Sequence, residues 1–266
     1  MTGRVANLDL LRAVAITLVV ASNAAVEVGV GPGLGGRVAS SGWVGVDLFF
    51  VLSGWLVGGL YWRELARDGR VRTGRFWGRR WLRTVPAYLV ALHVVFAAKW
   101  ALSDGALPYD PRYLLFVQNY EAHMPFWAVS WSLCVEEHFY LALPFALGAA
   151  LRSRFGMDAL LVAALVVSAV ARVLTVEPGD PLYGPHYTMT HTRMEGLVLG
   201  VWAAFVYHRR QARWPALERA ARLAVVPGLL LVAAVPLLPL DVVNRYAFTV
   251  VDLVFAAVLV AVVARP

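Results

Sequence analysis

The strongest constraint on the fold is a succession of eight long apolar segments. A helix needs about 20 mostly apolar residues to cross a bilayer. Segments of this kind lie at about residues 8–26, 42–62, 84–103, 127–150, 159–176, 190–208, 222–239 and 246–264. Lipid offers the backbone no hydrogen-bond partner, so each segment is expected to be helical. The sequence therefore predicts an all-α, polytopic bundle of transmembrane helices, with about eight spans in a single domain over residues 1–266.

Composition and charge agree with this class. Of the 266 residues, 60% are hydrophobic and 15% are charged, which is too apolar for an ordinary soluble domain. The net charge of +7 comes almost wholly from arginines. These arginines cluster between apolar segments, as membrane topology requires, so a nucleic-acid partner has little support. The histidines show no metal-ligand spacing, and no metal site is predicted.

The charged connections predict an orientation. The connection at 63–83 holds eight arginines, whereas the connection at 104–126 holds three acidic residues and one arginine. Connections rich in arginine and lysine stay in the cytoplasm. Eight alternating spans then place both chain ends and the 63–83 connection on the cytoplasmic side. Standing alone, the stretch FWGRRWLRTVPAY would be a basic loop with an aromatic belt at that face.

Three polar residues interrupt the first apolar segment. Arg12 and Asn23 are eleven residues apart, which at about 100° per residue places them within about 20° of one helix face. Asp9 lies one turn before Arg12 and could pair with it. Arg12 could hold an anion such as a phosphate. The alternative is an interfacial arginine that extends to the lipid headgroups beside its own aspartate.

An acid and several glycines mark the second segment, GWVGVDLFFVLSGWLVGG. Asp47 lies several residues inside this segment, where a carboxylate requires a donor nearby. The glycines let helices approach closely in lipid, so their simplest role is packing.

The fourth segment contains two adjacent glutamates at a depth where a carboxylate normally has a partner or a task. One helix face carries a polar residue at every fourth position, namely Ser132, Glu136 and Tyr140. Glu137 lies about 100° round the helix from that face. A buried acid beside a second acid can accept and donate protons. The alternative for these glutamates is a polar network between helices that includes Arg193 or Arg172.

The sixth segment begins with a charged turn, THTRMEGLVLG. His191 and Glu195 share one helix face there, so the acid could orient the imidazole. Arg193 lies between them. The alternative for His191 is an ordinary surface histidine.

Five motifs follow one another along the chain. They are LDLLRAVA, GWVGVDLFFVLSGWLVGG, RRWLRTVPAY, WSLCVEEHFYLALP and THTRMEGLVLG, within about residues 7–206. Together they resemble the bacterial membrane acyltransferase family 3, whose members usually have ten spans. The resemblance implies a multi-pass enzyme of the bacterial inner membrane. Such an enzyme transfers an acetyl or short acyl group from acyl-CoA to a sugar hydroxyl of a cell-envelope glycan or a glycosylated metabolite.

The resemblance also implies roles for individual residues. Acyl-CoA, with acetyl-CoA as the expected form, would be a co-substrate and not a bound cofactor. Its phosphates would be held by Arg12 and by Arg80 or Arg83. The catalytic candidates are Glu136, His191 and Asn23. The substrate-binding or structural polar network would comprise Asp9, Asp47, Ser132, Glu137, Tyr140, Arg193 and Glu195.

Asn23 departs from the family pattern. The family has a histidine eleven positions after the arginine of its first motif, and that histidine is thought to take the proton of the acceptor hydroxyl. An amide has no accessible pKa, although it can hydrogen-bond an acceptor or an acyl carbonyl. Glu136 or His191 would then be the base. A second hypothesis is a non-catalytic relative that binds or translocates an acyl or glycan substrate, and a third is that Asn23 or the end at Pro266 is not natural.

Overall fold

The computed structural model describes residues 6–31, 33–121, 124 and 126–263. Within these ranges every regular element is a helix, which confirms the predicted all-α class. The α-helices, in chain order, are α1 (Ala6–Glu27), α2 (Leu34–Ser40), α3 (Val44–Asp68), α4 (Thr73–Leu102), α5 (Trp131–Arg152), α6 (Gly156–Thr175), α7 (Pro185–Thr188), α8 (Thr190–Arg193), α9 (Glu195–Arg209), α10 (Trp214–Ala234), α11 (Leu240–Val242) and α12 (Phe248–Val262). A π-helical turn at Val243–Ala247 precedes α12.

Six helical segments of the described ranges are long and apolar enough to cross a membrane. They are Asn7–Glu27, Leu34–Asp68, Thr73–Leu102, Gly156–Thr175, Gln211–Leu237 and Leu240–Val262. The chain is therefore a multi-pass membrane protein. The other two predicted spans also fall on helices, but α5 carries two adjacent glutamates, and the helix of the sixth span is interrupted at Met194. Because of that interruption α9 has only 15 residues, fewer than the roughly 20 that a span needs.

α3 is the central helix of the bundle. We compare the buried share of the stretch in each segment that is apolar enough to cross a membrane. In the segment containing α3, 72% of these residues are buried, whereas in the segments of α1 and α4 only 11% are buried. Gly54 of α3 lies against the backbone of Leu197 in α9. Gly200 of α9 lies in turn against the backbone of Val51. A larger side chain at either glycine would collide with the facing backbone, which confirms the packing role predicted for Gly54.

The connection predicted at 63–83 is mostly helical, and this corrects the prediction. α3 ends before Gly69, which adopts a left-handed φ of 66° and donates its N–H to Leu65 O. α4 begins already at Thr73, so four of the eight arginines stand on its first three turns. Hydropathy places the start of the span later because arginines interrupt the apolar pattern. We call this side of the bundle the basic end.

The connection between α4 and α5 covers the opposite end of the bundle. Tyr113 and Phe126 stack there with their ring centroids 4.2 Å apart. Asp110 caps the turn at Pro111–Leu115 and accepts hydrogen bonds from Arg112. Burial raises the pKa of Asp110, but the hydrogen bonds from Arg112 outweigh burial and leave this pKa below its ordinary value. The described part of this connection is therefore packed against itself and covers this end of the bundle.

Candidate active site

A cavity of about 800 Å³ lies between α1, α3, α4 and α5. It runs from the basic end to the first turns of α5, and we call it the arginine cavity. Its polar lining consists of Arg12, Arg63, Arg79, Arg80, Arg83, Ser53, Thr84, Ser132 and Glu136. Five residues of the sequence-based site are therefore brought together here. No role is predicted from the sequence for the other four, which are Arg63, Arg79, Ser53 and Thr84.

The positive charges of the arginine cavity are only partly compensated. Arg12 pairs with Asp9, with Nη1 and Oδ1 2.8 Å apart, as predicted. Arg79 pairs with Glu64. No ion pair to a described carboxylate is made by Arg63, Arg80 or Arg83. This surplus of positive charge favours a ligand with several negative charges.

Glu136 lies in the wall of this cavity. It is partly buried, and its Oε1 accepts a hydrogen bond from Ser53 Oγ at 2.7 Å. The network proposed as an alternative does not form, because Arg172 and Arg193 pair with other acids. Glu136 makes no ion pair with the described residues, so its carboxylate remains available for proton transfer. In the sequence, Ser53 is distinguished only by its hydroxyl group, since it lies among the glycines of α3.

Glu137 and Tyr140 support the site from outside the cavity. Glu137 is 4% exposed, and its Oε2 accepts a hydrogen bond from Trp81 Nε1 at 3.0 Å. This bond joins α5 to α4. Tyr140 is buried beneath Arg80, whose guanidinium carbon lies 3.7 Å from the ring centroid. Glu137 therefore helps to position α4, and Tyr140 helps to position Arg80.

A second cavity, of about 360 Å³, adjoins the first at the opposite end of the bundle. Val19, Val46 and Ser132 line both cavities. Asn23 lies in the wall of the second one, which we call the asparagine cavity. The Asn23 side chain is exposed, and its Nδ2 donates to Val19 O at 2.8 Å. Arg12 and Asn23, predicted to share a helix face, thus line two adjoining cavities.

The expected pair of His191 and Glu195 does not form. The helix is interrupted at Met194, so the two residues lose the spacing of a shared face. Glu195 is ion-paired with Arg172 instead. His191 lies beside Tyr120, with ring centroids 5.7 Å apart, and lines neither the arginine nor the asparagine cavity. The structure therefore does not place His191 with the other catalytic candidates.

Two buried ion pairs lie in the centre of the bundle. Arg193 Nη2 lies 2.8 Å from Asp47 Oδ1, and both side chains are at most 1% exposed. Asp47 thus has the donor that its depth predicts. Arg172 and Glu195 form the second pair, which is equally buried. Since none of these four residues lines the arginine or asparagine cavity, their role is to hold the helices together.

A comparison with protein family models shows which family the chain belongs to. A family model described as an acyltransferase domain matches residues 5–265, nearly the whole chain. This chain belongs to acyltransferase family 3. The five motifs that indicated the family all lie within the matched region, so the resemblance seen in the sequence of this family 3 chain is confirmed.

Relatives of this family 3 chain carry an acetyltransferase name. The O-acetyltransferase OatA of Staphylococcus aureus (strain NCTC 8325 / PS 47) is 29% identical over 187 residues, covering 63% of this chain and 30% of the relative. The protein of the same name from strain COL gives the same values. The matched region is thus less than a third of the length of these relatives. Comparison with solved structures gave no match.

Proposed function

We propose that this family 3 chain is an integral membrane O-acyltransferase that moves an acetyl or short acyl group from acyl-CoA to a sugar hydroxyl. The proposal rests on the arginine cavity, where Glu136 lines one space with three arginines that make no ion pair to a described carboxylate. The O-acetyltransferase name of the relatives supports the same reaction class. The acceptor sugar would belong to a cell-envelope glycan or to a glycosylated metabolite.

The arginine cavity suits the phosphates of acyl-CoA. Guanidinium groups form paired hydrogen bonds to phosphate oxygens. We assign Arg80 and Arg83 to this contact, with Arg12 completing the set and Arg63 adding positive charge. A volume of about 800 Å³ is within the usual range of ligand pockets. The positive-inside rule would place the basic end and the N-terminus in the cytoplasm of a bacterial inner membrane, so the donor enters from there.

We assign Glu136 as the general base. The acceptor oxygen attacks the thioester carbonyl carbon, and its proton passes to the Glu136 carboxylate. The carbon–sulfur bond breaks, and CoA leaves as a thiolate that then takes up a proton. Ser53 fixes one oxygen of the Glu136 carboxylate. The acceptor would enter through the asparagine cavity, where Asn23 can hydrogen-bond the acceptor or the acyl carbonyl.

The donor site is tested by acetyl-CoA binding to the purified protein. We expect binding that weakens with salt. We also expect Arg83→Gln to reduce it several-fold, because Arg83 lines the arginine cavity and makes no ion pair with a described carboxylate. Arg75→Gln is the matched control: Arg75 is exposed on the same helix and does not line the cavity. Equal effects of the two variants would contradict the assigned donor site.

The second hypothesis, a non-catalytic relative, is favoured by Asn23 alone, since an amide cannot serve as a base. An assay with radiolabelled acetyl-CoA and membrane glycan or macrolide acceptors distinguishes the catalytic from the non-catalytic hypothesis. Acceptor-dependent release of free CoA by the purified protein would rule out the non-catalytic role. Binding without release, together with release by the Asn23→His variant only, would rule out Glu136 as a sufficient base.

A further inference from the structure

A third cavity, of about 560 Å³, lies in a groove between α6, α9, α10 and α12. We call it the α6–α10 groove. Its apolar walls include Leu161, Val162, Leu165, Leu199, Leu217 and Leu253. Among the described residues, charged side chains line the groove at one place, its rim, and these are Asp158, Arg210 and Arg213. No described residue lines both this groove and the arginine cavity.

The charged rim of the groove lies at the basic end. Asp158 is in the first turn of α6, while Arg210 and Arg213 lie in the connection from α9 to α10. The segments containing α6, α10 and α12 are all long and apolar enough to cross a membrane. The apolar part of the groove therefore lies at hydrocarbon depth, and the rim lies at the level of lipid headgroups.

The rim carries a positive charge that no described carboxylate neutralises through an ion pair. Asp158 is ion-paired with Arg210, and its Oδ1 also accepts a hydrogen bond from Trp202 Nε1 at 3.2 Å. Arg213 is exposed and makes no ion pair with any described carboxylate. Two arginines and one aspartate leave one net positive charge beside an apolar groove. Basic pockets between transmembrane helices on the cytoplasmic side are typical sites for anionic lipid headgroups.

We propose that the α6–α10 groove binds one glycerophospholipid with a negatively charged headgroup. An acyl chain would lie between the leucines of α6 and α10, and the phosphate would contact Arg213 and Arg210. The charge complementarity at Arg213 selects an anionic lipid over a zwitterionic one. This site is independent of the proposed acyl transfer, so either proposal can fail without the other.

The experiment is a titration of the purified protein with phosphatidylglycerol and, separately, phosphatidylcholine, with bound lipid counted by native mass spectrometry. One arginine at a membrane surface contributes about 1 kcal/mol toward an anionic lipid, which is about a five-fold preference. We expect phosphatidylglycerol to be retained about five-fold more tightly, and Arg213→Gln to remove that preference. Arg219→Gln, exposed on α10 but outside the groove, should leave the preference intact.

A second variant tests the apolar part of the groove. Val162 is 58% exposed and lines the groove, so Val162→Trp should fill it without disturbing the core. We expect Val162→Trp to weaken retention of both lipids. Equal retention of the two lipids by the unchanged protein would overturn the proposal. Equal losses in Arg213→Gln and Arg219→Gln, or unchanged retention in Val162→Trp, would also overturn it.

Discussion

As a single residue, Glu136 is unfavourable inside a membrane helix but suited to proton transfer. A carboxylate inside a membrane helix costs a few kcal/mol unless it faces a polar space. Here Glu136 faces the arginine cavity, and Ser53 on the neighbouring helix holds one of its oxygens. The sequence identifies Glu136 because a charge stands out in an apolar segment. It does not identify Ser53, because a hydroxyl is tolerated at any depth and gives no such contrast.

Ser53→Ala should lower kcat and leave KM for acetyl-CoA almost unchanged. A hydrogen bond to a charged group is worth about 1.5–3 kcal/mol, so the expected loss in kcat is about 10- to 100-fold. Steady-state kinetics of acyl transfer measure both quantities. Ser53→Thr keeps the hydroxyl and should recover activity. Ser168→Ala removes a buried hydroxyl that lines neither the arginine nor the asparagine cavity, and a loss as large as that of Ser53→Ala would contradict the role of Ser53.

At the scale of elements, α3 joins the site to the rest of the bundle. Its glycines admit α9, Ser53 contacts α5, and Asp47 pairs with Arg193 of α8. The sequence predicts that Asp47 needs a donor, because its depth alone requires one. It does not predict which residue supplies the donor, since that depends on how the helices are placed in space.

The ion pair of Asp47 and Arg193 should contribute much more to stability than an exposed pair. Asp47→Asn leaves a buried guanidinium without its counter-ion, at an expected cost of about 3–5 kcal/mol. Asp9→Asn removes the half-exposed pair with Arg12, which is worth about 0–1 kcal/mol. Thermal unfolding in detergent compares the two variants. Similar unfolding midpoints would contradict the structural role assigned to the buried pair.

At the scale of the whole molecule, two adjoining cavities run from the basic end toward the opposite end. The sequence predicts the helical class and most span positions, because apolar length is sufficient evidence for a helix in lipid. It misplaces the start of α4, because hydropathy cannot show that an arginine-rich stretch is helical. It also misses the interruption at Met194, which separates His191 from Glu195, because the residues directly before and after Met194 are neither proline nor glycine.

The orientation can be tested with introduced cysteines, because the single native cysteine, Cys134, is buried. Gly74 is exposed at the basic end, and Ala106 is exposed at the opposite end. In intact cells a membrane-impermeant maleimide should label Ala106→Cys and not Gly74→Cys, because basic connections remain in the cytoplasm. The unchanged protein is the control for labelling of Cys134. The reverse labelling pattern would contradict a cytoplasmic basic end.

The role of Glu136 as the base is tested most directly by measuring transfer of radiolabelled acetyl groups by Glu136→Gln and Glu137→Gln variants of the purified protein. Removing a general base typically lowers a rate about 10²- to 10⁴-fold. Glu136→Gln should therefore keep acetyl-CoA binding and lose transfer by that factor. Glu137→Gln should retain transfer, because its amide oxygen can still accept the hydrogen bond from Trp81. Unchanged transfer by Glu136→Gln would contradict the assignment of Glu136 as the base.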